Sequence, residues 1–245
     1  MDIGKQLLEC LKYKNASNKI EELDEKGLLE QIIPSIKDMK EVGKCRYHIV
    51  NSFQHSLYTL GHFESILATD NFVPSHLREG VWEYLNSKDE SGFPVLQVLK
   101  LGVFLHDVGK PAAKTVDETG RAHFRGHDVT GGQIVLELGK ELGLSDVTTQ
   151  KLFRYVRYHM SLLIAYKTGN VGKEILWKQF DELGDDIIGI MLLGYCDLVA
   201  TRKLLNPLED NGVIKTYMEF ILTNYFYRYK TDKEDRKSTR LNSSH

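Results

Sequence analysis

Two aspartates and several histidines occupy positions where a folded chain should tolerate them only beside a cation or a charged partner. The doublet His106-Asp107 closes PVLQVLKLGVFLHDV, the most apolar stretch of the chain, and Asp197 lies inside IIGIMLLGYCDLVATR. Burying an unpaired carboxylate costs several kcal/mol or more. A shared metal ion would remove that cost, and so would a salt bridge or a hydrogen bond to the backbone. Three further histidines complete an ordered series: His55, then His106-Asp107, then His127, His159 and Asp197. Each alone suits a core histidine as well as a ligand. Together, imidazole and carboxylate suit first-row divalent metals: Mn, Fe, Co, Ni or Zn, with Mg also compatible. Lys110 ends HDVGK, about one turn beyond the doublet, where an ammonium can neutralise a phosphate oxygen as charge develops or simply cap a helix C-terminus.

The elements that must position these residues are helical. Periodicities of three and four dominate, strands do not alternate along the chain, and five prolines leave room for long helices. Residues 1–24 read as an amphipathic helix and linker broken at Asn15 to Asn18. A short helix over 27–38 carries Pro34 as a kink or boundary. A long helix over 48–68 directs Phe53, Leu57, Leu60 and Leu67 inward, and another spans 77–87. The apolar run 94–108 is a buried central helix, with Pro94 at its start and Gly109 and Pro111 at its end. Lys114–Val116 and Arg121–Phe124 flank the turn Asp117-Glu118-Thr119-Gly120 as a small hairpin. A helix follows over 128–142, and His127, after Gly126, is presented by a loop. Ser145 caps a helix over 146–165, on which Val156, His159, Met160 and Leu163 share a face. Later helices cover 173–182, 185–205 and 211–229. The aromatics Tyr217, Phe220, Tyr225, Phe226, Tyr227 and Tyr229 are expected to pack on the core.

Composition bounds the function. The net charge of −2 argues against an extended nucleic-acid surface, while leaving room for a small phosphorylated ligand. Cys10, Cys45 and Cys196 are widely spaced, so a reducing, cytoplasmic setting is expected. The longest apolar segment, Ile187 to Cys196, is about half of the roughly 20 residues a membrane span needs. The tail from Thr231 to His245 is polar and expected to be disordered, and residues 236–245 (RKSTRLNSSH) read as a translated adapter.

The ordered set H…HD…D, with HDVGKP, FRGHD and RYHM, resembles the HD phosphohydrolase superfamily. Within it, LLEQIIPSIKDMKEVG, YHIVNSFQHSL and LGVFLHDVGKPAAKTVDETGRAHFRGHDVTGG resemble the HD domain of bacterial tRNA nucleotidyltransferases and poly(A) polymerases, over about residues 27–200. The resemblance implies an all-α helical bundle. Residues 1–26 are then an N-terminal helix and linker, 27–205 the HD domain, 206–230 a C-terminal helix packed on it, and 231–245 the tail. It also implies one or two divalent metal ions. His55, His106, Asp107 and Asp197 would hold the first, and Asp107 would bridge to a second held by His127 and His159. Asp107 and Lys110 would be catalytic, with Lys110, Arg125, Arg157 and Arg202 as candidate phosphate contacts. The family pattern often has Asp and Glu just before the first histidine, whereas this chain has Asn51 and Gln54. Residues 1–26 leave no room for a nucleotidyltransferase head, so a stand-alone hydrolase is expected rather than an enzyme of CCA addition. The expected substrate is a small phosphomonoester or phosphodiester, a nucleotide or 2′,3′-cyclic phosphate. A module that binds nucleotide or RNA without turnover, or a helical protein with core histidines, are the competing readings.

Overall fold

The computed structural model describes residues 3–42, 50–69, 71–208 and 210–233. The order is α1 (Ile3–Cys10), α2 (Ala16–Glu25), α3 (Leu29–Ile32), α4 (Ser35–Glu41), α5 (Ser52–Leu67), α6 (Ser75–Asn86), α7 (Val95–Leu105), β1 (Thr115–Val116), β2 (Ala122–His123), α8 (His127–Glu141), α9 (Asp146–Tyr158), α10 (Ser161–Thr168), α11 (Lys173–Leu183), α12 (Asp186–Leu205) and α13 (Gly212–Asn224), which runs into a π turn over Tyr225–Tyr229. The fold is all-α, and the expected hairpin is its one sheet among the described residues, with Thr115 opposite His123 and Val116 opposite Ala122.

Two helices that are apolar on every side form the centre, as a helix without a polar face must. α12 is buried from Asp186 through Cys196, and α7 is buried over most of its length. α5 and α9 pack on both. Tyr155 of α9 lies flat between them: a Cβ on Gly102 of α7 would come within 2.9 Å of its side chain, and one on Gly189 of α12 within 2.7 Å. A buried polar network fixes the same helix. Asp186 takes Arg154 Nη1 at 2.9 Å, a contact with Lys151, and the Tyr84 hydroxyl at 3.2 Å, while Tyr84 and Tyr155 hydrogen-bond to each other. The N-terminal helices are tied down by buried Lys100, whose Nζ donates to Tyr13 O at 2.5 Å.

Several boundaries differ from those expected. Helix α2 begins at Ala16, inside the expected break at Asn15 to Asn18, and the chain turns at residues 11–15 instead. Pro34 separates α3 from α4 as anticipated. α5 begins at Ser52 rather than 48, because Asn51 is its N-cap and accepts from Gln54 N at 2.8 Å; residues 48 and 49 and Cys45 lie outside the described residues. α7 ends at Leu105, so His106 and Asp107 stand at and beyond its C-cap, not inside it. The helix expected over 146–165 is two: Ser145 caps α9 as foreseen, accepting from Thr148 N, but the chain breaks at His159 and Met160 before α10. The inward residues of α10 are consequently Leu162 and Ala165, with Leu163 only half-buried. Residues 231–233 are helical rather than disordered, and 234–245 lie outside the described residues. Tyr225 and Tyr229 are buried as expected, whereas Phe220 and Tyr227 are exposed. Cys10 and Cys196 are buried free thiols. Among the described residues, no helix is long and apolar enough to cross a membrane.

Gly109 governs how closely the segment after α7 approaches α8. A Cβ there would lie 2.1 Å from His127 O and 2.4 Å from Gly131 N, both backbone atoms that cannot swing away. Gly109→Ala should therefore destabilise the fold by about 3 kcal/mol, at the upper end of overpacking costs, read as a lowered urea midpoint with unchanged slope. Gly61→Ala, where the nearest atom is Ser17 Oγ at 3.7 Å, should stay close to wild type.

Candidate metal centre

Each histidine of the series is set by the end or the start of a helix. The last carbonyls of a helix have no intrahelical partner. His106, the C-cap of α7, donates from Nδ1 to Val103 O at 2.8 Å. His159, the C-cap of α9, does the same to Val156 O at 2.7 Å. His127, first residue of α8 after the left-handed Gly126, donates to Phe124 O at 2.8 Å. An imidazole that donates from Nδ1 turns Nε2 toward the cluster, where it offers a lone pair to a metal when neutral and a proton to a carboxylate when charged.

The Nε2 atoms converge. His106 and His55 Nε2 are 3.3 Å apart, and His127 and His159 Nε2 are 3.1 Å apart. Asp107 lies between the pairs: Oδ2 is 3.4 Å from His106 Nε2 and 3.7 Å from His55 Nε2, while Oδ1 is 3.3 Å from His127 Nε2. Asp197 Oδ1 accepts from His55 Nε2 at 2.8 Å and is 3.5 Å from His106 Nε2. The ligand-capable atoms of His55, His106 and Asp107 lie within 4.8 Å of one another, as do those of Asp107, His127 and His159. His55, His106, Asp107, His127 and His159 are buried, and Asp197, 13% exposed, is the most open of the set.

This donor set fits a divalent cation on the chain's own geometry. Two Nε2 lone pairs facing each other at 3.1 Å repel unless a proton or cation lies between them, and both rings already spend their other nitrogen on a carbonyl. Burial, reinforced by the neighbouring His106 and His127, pushes the His159 pKa down to about 4. Burial also opposes charge on His106, but Asp107 and Asp197 outweigh it and raise its pKa to about 10. Asp107 is likewise opposed by burial yet held well below the usual carboxylate range by Lys110 and His106. Asp197 is lowered in the same way by His106 and His55.

Lys110 is buried beside the cluster. Its Nζ is 2.6 Å from Asp107 Oδ2 and 6.0 Å from the centre of the Phe124 ring, so it is not the exposed helix-end lysine of the alternative reading. The arginines are placed differently. Arg157 pairs with Asp128 and stacks on Tyr158; Arg202 donates to the Tyr166 hydroxyl at 3.1 Å and stacks on that ring; Arg125 is exposed. Sequence reasoning missed Thr59, whose Oγ1 is 3.5 Å from His55 Nε2 and donates to His55 O one turn back. Its signal was only the spacing of four from His55.

Two comparisons bear on this geometry. The family profile described as HD domain matches residues 53–188, which span α5 through the start of α12. An A-adding tRNA nucleotidyltransferase of Deinococcus radiodurans is 24% identical over 161 residues, covering 65% of this chain. The match spans 31% of that relative's length.

Lys110 is the nearest fixed positive charge to Asp107, and removing one partner of a buried pair leaves the other uncompensated. Lys110→Met should destabilise the metal-free protein by about 3 kcal/mol. The pH dependence has a defined sign. Asp107 and Asp197 have lowered folded pKa values, so their contribution is complete above about pH 5, given an unfolded value near 3.9. It is lost as pH falls through the folded values. Urea unfolding of the chelator-treated protein between pH 6 and 3 should show the decline; stability that rises toward pH 3 would contradict the assignment.

Proposed function

The chain belongs to the HD-domain family, whose members are metal-dependent phosphohydrolases, and from that premise we propose that it hydrolyses a small phosphomonoester or phosphodiester. The observation that carries the reading is the position of Asp107, with one oxygen toward His55 and His106 and the other toward His127. A carboxylate so placed can bridge two cations. His55, His106, Asp107 and Asp197 would hold one ion, and Asp107, His127 and His159 the other. The donor types suit Mn, Fe, Co, Ni or Zn, and the carboxylates admit Mg. When bound, such ions acidify water and stabilise both the attacking and the leaving oxygens of an in-line displacement.

The chain's own residues supply the rest. The carbonyls of Val103, Phe124 and Val156 hold their imidazoles in one tautomer and orientation, so no reorganisation is required when substrate arrives. Burial keeps bulk water from competing for the donors. Lys110 holds its ammonium against Asp107, placed to neutralise a phosphoryl oxygen as negative charge builds. Arg125, exposed and close in sequence to His127, is the arginine best placed to meet an incoming phosphate. Arg157 and Arg202 would have to leave Asp128 and Tyr166 to do so. A nucleotide or a 2′,3′-cyclic phosphate is the proposed substrate class.

Purified protein loaded with Mn, Co or Ni should turn over at least one of bis-p-nitrophenyl phosphate, p-nitrophenyl phosphate and adenosine 2′,3′-cyclic phosphate. Asp107→Asn should lower kcat/KM by at least about 10³-fold. His127→Ala should reduce bound metal by one equivalent, read by elemental analysis. A wild-type protein that takes up no transition metal, or an Asp107→Asn variant with full activity, contradicts the reading.

A further inference from the structure

Outside the histidine cluster, a groove of about 480 Å³ with several polar residues in its walls is bounded by α2, α5 and the C-terminal half of α12. That volume lies within the range of small-molecule sites. Its lining includes Asn18, Gln54, Tyr58, His62, Ser65 and Lys203, with Gly61 on its α5 wall. We infer that this groove receives the nucleoside part of the substrate whose phosphate meets the histidine cluster, an inference that rests on the phosphohydrolase reading above.

The groove and the cluster share two helices. Gln54 immediately precedes His55 on α5, and Ala200 and Lys203 follow Asp197 on α12. At about 1.5 Å of rise per residue, the α12 wall begins about 4.5 Å from Asp197 along the helix axis and extends to about 10.5 Å. Asp197 is also the most open side chain of the cluster. The groove is thus walled by the same two helices that carry His55 and Asp197.

The lining chemistry selects the ligand. The amides of Asn18 and Gln54 each offer donors and an acceptor, as the edge of a nucleobase requires, and Ser65 adds a hydroxyl. Tyr58 is 50% exposed and presents a ring to the groove edge, where a base can stack. His62 stacks on Tyr195, and its Nε2 is buried with no hydrogen-bond partner among the described residues. A buried polar atom of this kind calls for a partner. Burial, with Lys203 nearby, holds this imidazole neutral with a pKa near 4, so it can exchange a neutral hydrogen bond with a base. The lining holds one acidic residue, Glu21, and one basic residue, Lys203, so the groove carries no strong charge of its own. A neutral heteroaromatic fits that balance better than a second phosphate.

The test fills the groove. At Gly61 a Cβ meets only Ser17 Oγ at 3.7 Å, so Gly61→Leu projects into the space with little backbone conflict. The readout is the ratio of kcat/KM for adenosine 2′,3′-cyclic phosphate to that for bis-p-nitrophenyl phosphate, and of AMP to p-nitrophenyl phosphate. Gly61→Leu should lower at least one ratio by about tenfold or more, and Tyr58→Ala, at an exposed position, should lower the same ratio. Ratios that stay constant in both variants overturn the groove assignment while leaving the hydrolase reading intact. Equilibrium dialysis with adenosine, guanosine, cytidine and uridine, without any phosphate, decides the groove separately. Binding to wild type that is lost in Gly61→Leu supports it even if no phosphoester is turned over. Failure of every nucleoside to bind wild type overturns it.

Discussion

The structure is organised by one electrostatic constraint: the Asp107 carboxylate is out of water and ionised. Desolvation alone would drive it to take up a proton. Lys110, His106 and His127 reverse that preference from three directions. Lys110 comes from the same turn, His106 from the end of α7, and His127 from the start of α8. Asp197 on α12 draws in His55 on α5 by the same means. Helices far apart in sequence thereby meet at one charged point, while their apolar faces fill the core around it. Such a cluster is weak evidence for stability, because burying ions costs as much as pairing them returns. A cluster of this kind is better understood as something the fold supports than as something that supports the fold.

The support is visible in the backbone. His106, His127 and His159 each bond the carbonyl three residues earlier, and for His106 and His159 that carbonyl belongs to the last turn of a helix. One hydrogen bond thus completes a helix end and fixes a tautomer. In α9 this bond sits at the C-cap, immediately before the break that separates α9 from α10. The network of Asp186 with Arg154, Lys151 and Tyr84 holds α9 from its other face, so the histidine at its end is positioned from both sides.

Much of this was legible in the sequence, for physical reasons. A carboxylate in an apolar run is costly enough to demand an explanation, and that singled out Asp107 and Asp197. The helical period placed α5, α7, α8 and α12 to within a few residues. The hairpin followed from its turn chemistry. What escaped were effects that depend on residues meeting across the fold. The break between α9 and α10 has no Pro or Gly to announce it, so the segment reads as continuous helix from the sequence. Asn51 read as a departure from a charged pattern, and its work as the N-cap of α5 shows only once the helix start is known. Gly109 read as a helix terminator, whereas it is the point where two backbones touch.

That last residue shows how compactly HDVGK is built. His106 completes α7 and turns its Nε2 inward. Asp107, one residue on, is the carboxylate between the two histidine pairs. Gly109 lets the backbone of α8 approach to where any Cβ would collide, which brings His127 to the other oxygen of Asp107. Lys110, three residues after Asp107, returns its ammonium to the same carboxylate. Each position acts through the next, so substitutions within the motif should not add: a change at Gly109 that moves α8 also removes the contact His127 makes with Asp107. The tolerance of this segment is accordingly set by backbone geometry as much as by ligand chemistry, and a variant that keeps every histidine and aspartate can still lose the centre.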